Sequence, residues 1–357
     1  MTQPSILVMA GGTGGHIFPG LAVAEYLRVC GWKVSWLGNK TGMEFQLVKA
    51  RDFAFESVEF GGLRGKGLKA KLLLPFTLLR ACFQSWKIMR RLKPSVVLGM
   101  GGYITFPGGL VSKLLGQPLV LHEANSVAGS ANRTLNKIAL RTLTGFPDTI
   151  KNAEWVGNPI RAVFEKIAAP ELRYTDRQGN LSILVVGGSL GAAVLNEVVP
   201  AALALMDKDS RPQVIHQAGE KHIHDLRARY QALGIQADVR AFIDDMPAAY
   251  AQADLVICRS GAMTISEIAA CGVAACLVPF PYAIDDHQTA NARFLENANA
   301  AILLPQGNLN PQDLALMMQN LRRSDLLDMA QRAHQLAKPH ATERVGQVCA
   351  DCAGVGI

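Results

Sequence analysis

SILVMAGGTGGH, residues Ser5 to His16, is the stretch whose reading decides the fold. An uncharged apolar run passes directly into a glycine cluster and then into a helical apolar period. That succession predicts a strand, a tight turn and a helix from about Pro19 to Cys30. It returns at LSILVVGGSLGA, Leu181 to Ala192, with a helix from about Ala192 to Met206. Short apolar runs at Lys33–Leu37, Ser95–Leu98, Leu119–Leu121, Gln213–His216, Leu255–Cys258 and Ala275–Val278 alternate with helical stretches. Strands separated by helices pair in parallel. Two such halves predict two Rossmann-like α/β domains with ligand clefts at the carboxyl ends of their strands. The boundary falls near VGNPIR, Val156 to Arg161, giving domains 1–160 and 161–340.

At 357 residues, 49% hydrophobic and 18% charged, the chain fits two globular domains and excludes a disordered, collagenous or coiled-coil protein. Its longest uncharged runs, Met1 to Ala24 and Pro94 to Ser112, are broken by glycine and proline, so neither a span nor a leader is expected. Seven cysteines, with Cys349 and Cys352 alone in CxxC spacing, fit reduced thiols in a cytosolic compartment. Charge is uneven, +11 over residues 1–160 and −4 over the rest. Between Phe60 and His122 stand ten basic residues and no acid, a positive field suited to nucleic acid or an anionic membrane. Within it Leu72, Leu73, Phe76, Leu79, Phe83 and Trp86 recur at helical spacing, bordered by Lys69, Lys71, Arg80, Lys87, Arg90 and Arg91. Amphipathicity alone fits such a stripe to the core or to a membrane-facing surface, and the acid-free surroundings favour the membrane.

GGTGGH, Gly11 to His16, lets backbone amides and a helix N-terminus approach an oxyanion. It lacks the third glycine of the dinucleotide fingerprint, and no GxxxxGK[ST] run exists, so neither a nicotinamide cofactor nor a P-loop is expected. GGSLGA adds Ser189 beside similar amides, as a diphosphate would need. RSGAMTISE, Arg259 to Glu267, follows a strand and places Glu267 where a carboxylate can accept two ribose hydroxyls. DDHQTANA, Asp285 to Ala292, offers Asp286, His287, Gln288 and Asn291 to sugar hydroxyls or to solvent. GMGGY and LHEAN bring Gly102, Tyr103, His122, Glu123 and Asn125 to the sheet end that holds His16, a constellation for acid/base work on a hydroxyl. DKD, Asp207 to Asp209, sits in a polar loop, and no metal-ligand set is inferred.

GGTGGH, GLRGKG, GMGGY, HEAN, GNP-R, GGSLGA, FIDDM, CRSGAMTISE, DDHQTANA and ATERV, in this order over nearly the whole chain, resemble the MurG family. These are UDP-N-acetylglucosamine:lipid I N-acetylglucosaminyltransferases of bacterial peptidoglycan synthesis. Leu190 and Ala124 stand where that family often has Gln. The resemblance implies a GT-B fold, two Rossmann-like domains facing across a cleft, with the acceptor on the N-terminal one and the donor on the C-terminal one. The last helix, 341–357, would return to the first domain. For the donor, UDP-GlcNAc, it implies Ile243 at the uracil, Glu267 at the ribose, Ser189 with Ala262, Met263, Thr264, Ile265 and Ser266 at the diphosphate, and Gln288 at the sugar. Thr13, Gly14, Gly15, Asn125 and Arg161 would add donor contacts. From the residues themselves, Gly102 and Tyr103 are expected to bind the acceptor, and His16 and Glu123, which follow strand ends flanking the cleft, are expected to be catalytic, one of them accepting the proton of the acceptor hydroxyl.

The reaction so implied is inverting transfer of N-acetylglucosamine to the 4-hydroxyl of the lipid-linked muramyl sugar, with no cofactor. Its partners would be UDP-GlcNAc, lipid I, an anionic membrane surface at the cytoplasmic face of the inner membrane and other cell-wall synthesis proteins, not nucleic acid. A UDP-N-acetylglucosamine 2-epimerase would use a similar fold, but a soluble sugar nucleotide needs no basic membrane face. A nucleic-acid module would use the basic segment, but aromatic residues there are few.

Overall fold

Residues 3–62, 72–188 and 191–356 are described in the computed structural model of the chain. Seven strands form the first sheet: β1 (Ser5–Met9), β2 (Lys33–Gly38), β3 (Ala54–Ser57), β4 (Val96–Gly99), β5 (Leu119–Glu123), β6 (Arg141–Thr144) and β7 (Glu154–Trp155). Six form the second: β8 (Ser182–Val186), β9 (Gln213–Gln217), β10 (Asp238–Arg240), β11 (Leu255–Cys258), β12 (Ala274–Leu277) and β13 (Ile302–Leu303). Both sheets are parallel, in the orders β3-β2-β1-β4-β5-β6-β7 and β10-β9-β8-β11-β12-β13. The chain divides into two compact units, residues 1–160 with 340–357, and residues 161–339.

Central strands of a parallel sheet are covered on both faces, which explains why β1 and β8 read as unbroken apolar runs. In the first unit Ile6, Val8, Val96 and Leu98 point into one core and Leu7, Met9, Val97 and Leu121 into another. The C-terminal helix Ala341–Ala353 belongs to the first of these through Val345, Val348, Cys349 and Ala350. It packs closely on the helix Gly14–Val29, since a β-carbon on Gly346 would lie 2.6 Å from the Tyr26 ring. In the second unit Ile183, Val185, Val214, Leu255 and Ile257 pack against Leu195, Val199, Leu314 and Leu326.

Two sequence readings are corrected. The first helix begins at Gly14, and Pro19 lies inside it. Proline favours a helix's first turn, which points to Pro19 as the start. The sheet instead forces the chain to turn immediately after β1, and Pro19 simply forgoes one hydrogen bond in the second turn. The strands β3, β6, β10 and β13 also escaped the sequence reading. They have two to four residues, and sheet pairing rather than an apolar run defines them.

Asp254, 1% exposed, ties the second unit together. Its carboxylate accepts from Arg177 at 2.6 Å, Arg323 at 3.1 Å and the Ser182 amide at 2.8 Å. Burial alone would raise its pKa, but Arg323, Arg177 and the Ser182 N–H outweigh it and hold the group below the usual aspartate value. A depressed folded pKa means stability that is present above the unfolded pKa and lost as pH falls through the folded one. Asp254→Asn should therefore lower unfolding stability at pH 7 by about 3 kcal/mol. The gap to wild type should begin to narrow only below about pH 4 and close as pH falls through the depressed folded pKa, where the wild-type carboxylate protonates too. Chemical denaturation at pH 7 and pH 3 measures both, and an equal gap at the two values would contradict the ion-pair account.

Candidate active site

In each sheet the connections run outward in opposite directions from one strand pair, β1/β4 in the first unit and β8/β11 in the second. Helices diverge at such a pair, so the turns at its carboxyl end stay open. In the first unit these turns are Gly11–Thr13 and Met100–Tyr103. They interlock: a β-carbon on Gly102, whose φ is +82°, would lie 2.2 Å from the Gly11 carbonyl oxygen. Thr13 precedes the helix Gly14–Val29 in extended conformation, with no side-chain cap and no acid in the first turn. The leading amides of Gly14 and Gly15 thus carry the helix's positive end.

His16 stands one residue further on, its Nδ1 3.3 Å from the Gly11 carbonyl and 3.3 Å from Thr13 Oγ1. Donation from Nδ1–H to Gly11 makes Nε2 the basic nitrogen. Its ring lies along Gly101, where a β-carbon would come within 3.0 Å of Nε2.

A buried carboxylate missed by the sequence reading lies under this turn. Glu44, 0% exposed in the short helix Met43–Lys49, accepts from Asn39 N–H at 3.0 Å and Gly12 N–H at 3.4 Å. The Tyr103 hydroxyl faces the same group. Burial first, and then Glu44, push the Tyr103 phenol up to about 12.

At the end of β5 the Glu123 carboxylate is fully occupied in shaping its own loop. Oε1 accepts from Asn125 N–H at 3.0 Å and its side-chain amide at 3.4 Å, and Oε2 accepts from Asn132 at 2.9 Å and Gly129 N–H at 3.1 Å. His122 is corrected: it does not join the group at the strand ends. Strand alternation turns it inward, fully buried, with Nε2–H donating to the Gly157 carbonyl at 2.9 Å, and burial lowers its pKa.

In the second unit Ala192 leads in extended conformation into the helix Ala193–Ala204, which has neither a side-chain cap nor an acid in its first turn, while Ser189 and Leu190 lie outside the described residues. Gly191 touches backbone, a β-carbon there falling 2.0 Å from the Ala218 carbonyl oxygen. After β11, Gly261 leads in extended conformation into the helix Ala262–Cys271, which has neither side-chain cap nor acid in its first turn. Ala262, Met263, Thr264, Ile265 and Ser266 therefore present a positive end.

Glu267, half-buried on that helix, lies 3.5 Å from the Tyr250 hydroxyl. Burial pushes its carboxyl up to about 7, against the opposing pull of Arg161 and Tyr250. Arg161 stacks 4.8 Å over Phe164, and Phe164 meets Tyr250 at 6.0 Å between ring centres. The structure thus joins Arg161 to Glu267 through two aromatic rings that the sequence reading did not single out. Gln288 is held by the Phe280 amide at 2.9 Å, and Ile243 is buried beside the exposed Phe242.

Away from these turns, the helix Leu74–Leu92 settles the stripe left open in sequence. Ala81, Ser85, Ile88 and Met89 face the core. Phe76, Leu79, Phe83 and Trp86 face outward at 70, 68, 61 and 36% exposure, so the core reading of the stripe is overturned. Phe83 and Trp86 stack at 5.8 Å, with Arg90 5.5 Å over Trp86. The acid-free field is also less uniform than the sequence suggests, because the fold brings Glu59 to Arg80 and Glu56 to Arg91, both at 2.6 Å. Lys66, Lys69 and Lys71 lie outside the described residues. Among the described residues no helix is long and apolar enough to cross a membrane.

Glu267 gives a test with two readouts of opposite sign. An acid whose folded pKa is raised destabilises the fold once pH exceeds the unfolded value, so Glu267→Gln should raise unfolding stability at pH 8 by on the order of 1 kcal/mol. The gain should fade as pH falls from about 7 and vanish below about pH 4, where the carboxyl is protonated in both states. If the carboxylate binds a diol, the same variant should weaken nucleotide binding at least about tenfold. Wild-type nucleotide affinity should fall as pH drops below 7. Calorimetric titration with UDP at pH 6 and 8 checks this, and pH-independent affinity would remove Glu267 from the nucleotide site.

Comparison with known proteins fits this geometry. Residues 6–144 match the glycosyltransferase family 28 N-terminal domain and residues 182–345 the family 28 C-terminal domain. A relative from Polynucleobacter asymbioticus, named UDP-N-acetylglucosamine–N-acetylmuramyl-(pentapeptide) pyrophosphoryl-undecaprenol N-acetylglucosamine transferase, is 77% identical over 100% of both chains. One of the same name from Cupriavidus metallidurans is 60% identical over 99% of each. The crystal structure of Acinetobacter baumannii MurG superposes with TM-score 0.88 at 39% identity, over 98% of this chain and 99% of that one. A kitacinnamycin glycosyltransferase, 14% identical with TM-score 0.73 over 99% of this chain and all of its own, shares the fold alone. Two parallel-sheet units with open helix ends at their switch points are the GT-B arrangement, and both domain matches and full-length relatives agree that the chain belongs to glycosyltransferase family 28.

Proposed function

We propose that the protein is a UDP-GlcNAc-dependent N-acetylglucosaminyltransferase of peptidoglycan synthesis. It transfers N-acetylglucosamine to the 4-hydroxyl of the N-acetylmuramic acid of lipid I, with inversion, to give lipid II. The full-length 77% identity to a transferase of that name carries the reading. The residues 161–339 bind the donor, with Glu267 on the ribose, Ile243 at the uracil, Gln288 on the sugar, and Ser189 and the helix start Ala262–Ser266 at the diphosphate. As the bond to C1 breaks, negative charge grows on the leaving diphosphate, and a preorganised helix end stabilises it without reorganisation. Arg161, Thr13, Gly14, Gly15 and Asn125 add donor contacts.

The first unit holds the acceptor at Gly102 and Tyr103. His16 Nε2 accepts the proton of the attacking hydroxyl. The four hydrogen bonds already made by Glu123 favour a loop-shaping role for it over that of base. Incubation with UDP-GlcNAc and a short-chain lipid I analogue should release UDP and form a disaccharide product. His16→Ala should lower kcat about 10²-fold or more while leaving donor KM within about twofold. Failure to form product would refute the reading.

The acceptor's polyprenyl chain stays in the bilayer, so the protein works peripherally at the cytoplasmic face of the inner membrane. The outward Phe76, Leu79, Phe83 and Trp86, with Lys87 and Arg90 beside them, support docking there. Apolar insertion and attraction to anionic lipid add, each basic group contributing about 1 kcal/mol. Phe83→Ser with Trp86→Ser should reduce binding to anionic vesicles at least about tenfold in a sedimentation assay. Unaltered binding would put the membrane face elsewhere.

A further inference from the structure

We infer that Glu44 is the positioning residue of the acceptor half of the site, holding His16 and Tyr103 in working register through the first glycine turn. The inference rests on the transfer reaction proposed above, with His16 as its base. Three glycines from separate positions leave room for one carboxylate. A β-carbon at Gly42 would lie 2.2 Å from Glu44 Oε2, at Gly11 2.6 Å from Oε1, and at Gly38 2.9 Å from Cγ. The carboxylate filling this space is fully buried and reaches three segments at once. It accepts Asn39 N–H after β2 and Gly12 N–H after β1, and it faces the Tyr103 hydroxyl after β4.

The link to the reacting centre is one residue long. Gly12 N–H is fixed by Glu44, and the preceding Gly11 carbonyl accepts from His16 Nδ1 at 3.3 Å, which sets the tautomer that leaves Nε2 basic. Tyr103 packs on the same turn, its ring 3.3 Å from where a Gly12 β-carbon would stand. A packing role alone would be met by any side chain of this volume. The donors that point at Glu44 instead require a group that only accepts, which a carboxylate is and a carboxamide is not. In Glu44→Gln the amide NH2 must face Gly12 N–H or Asn39 N–H, so one of the two bonds is lost with the shape unchanged.

A double-mutant cycle on kcat tests this, using Glu44→Gln, His16→Ala and both together with UDP-GlcNAc and a short-chain lipid I analogue. Glu44→Gln should lower kcat about tenfold to a hundredfold in the presence of His16, and less than about twofold in the His16→Ala background. Donor KM should stay within about twofold throughout. Equal losses in the two backgrounds, or a donor KM that rises as kcat falls, would overturn the role of Glu44. His16→Ala with full turnover would instead remove the proposed base. Should Glu44→Gln fail to fold, Tyr103→Phe takes its place in the same cycle. A kcat loss of about threefold or more that vanishes without His16 supports the register, and additive losses refute it.

Discussion

The structure depends on the reversal of strand order at β1/β4 and again at β8/β11. A parallel sheet must be covered on both faces, and right-handed crossovers from one central strand can leave only toward opposite edges. At that point the helices diverge from the strand ends. Backbone amides at Gly14, Gly15 and Ala262 are left at helix starts without side-chain caps, and the chain can approach itself only where β-carbons are missing, as at Gly102 and Gly191. The chemistry of a charged leaving group is therefore a product of topology before it is a product of any side chain.

Three carboxylates set back from solvent in this protein, two buried and one half-buried, are handled differently, and the difference marks what each does. Asp254 is surrounded by two guanidinium groups and an amide, and it stabilises the fold. Glu44 is met by backbone N–H groups and a phenol, a neutral set that fixes shape rather than balancing charge. Glu267 has only a long contact to Tyr250 and a more distant Arg161, so burial dominates and its proton is held to near neutrality. An under-compensated carboxylate on an open helix is costly to the fold, and binding a diol would offset that cost.

The helix Leu74–Leu92 carries apolar side chains on two sides. One is consumed by the core at Ala81, Ile88 and Met89, and the other remains in contact with solvent at Phe76, Leu79 and Phe83. Contiguous exposed aromatic and aliphatic groups cost a water-soluble protein solubility, and they are retained where a second surface covers them. The anionic membrane proposed as that surface would suit basic neighbours without an acid in the local chain, even after Glu56 and Glu59 fold back onto Arg91 and Arg80.

Sequence by itself determined the fold class, the positions of the two glycine turns and the identity of most polar groups at the strand ends. Those signals are local: an apolar run, a glycine cluster and a helical period lie within twenty residues of one another. Tertiary structure alone decided which side of a strand or helix each side chain takes. His122 and Glu123 are adjacent in sequence, yet strand alternation sends the histidine to the core and the carboxylate to its loop. The apolar stripe of Leu74–Leu92 reads the same whether buried or exposed, and only the position of the neighbouring helix settles it. Glu44 carries no motif of its own. Its role arises because β1, β2 and β4 end side by side, which brings Gly12, Asn39 and Tyr103 around one carboxylate from segments up to 91 residues apart in the chain.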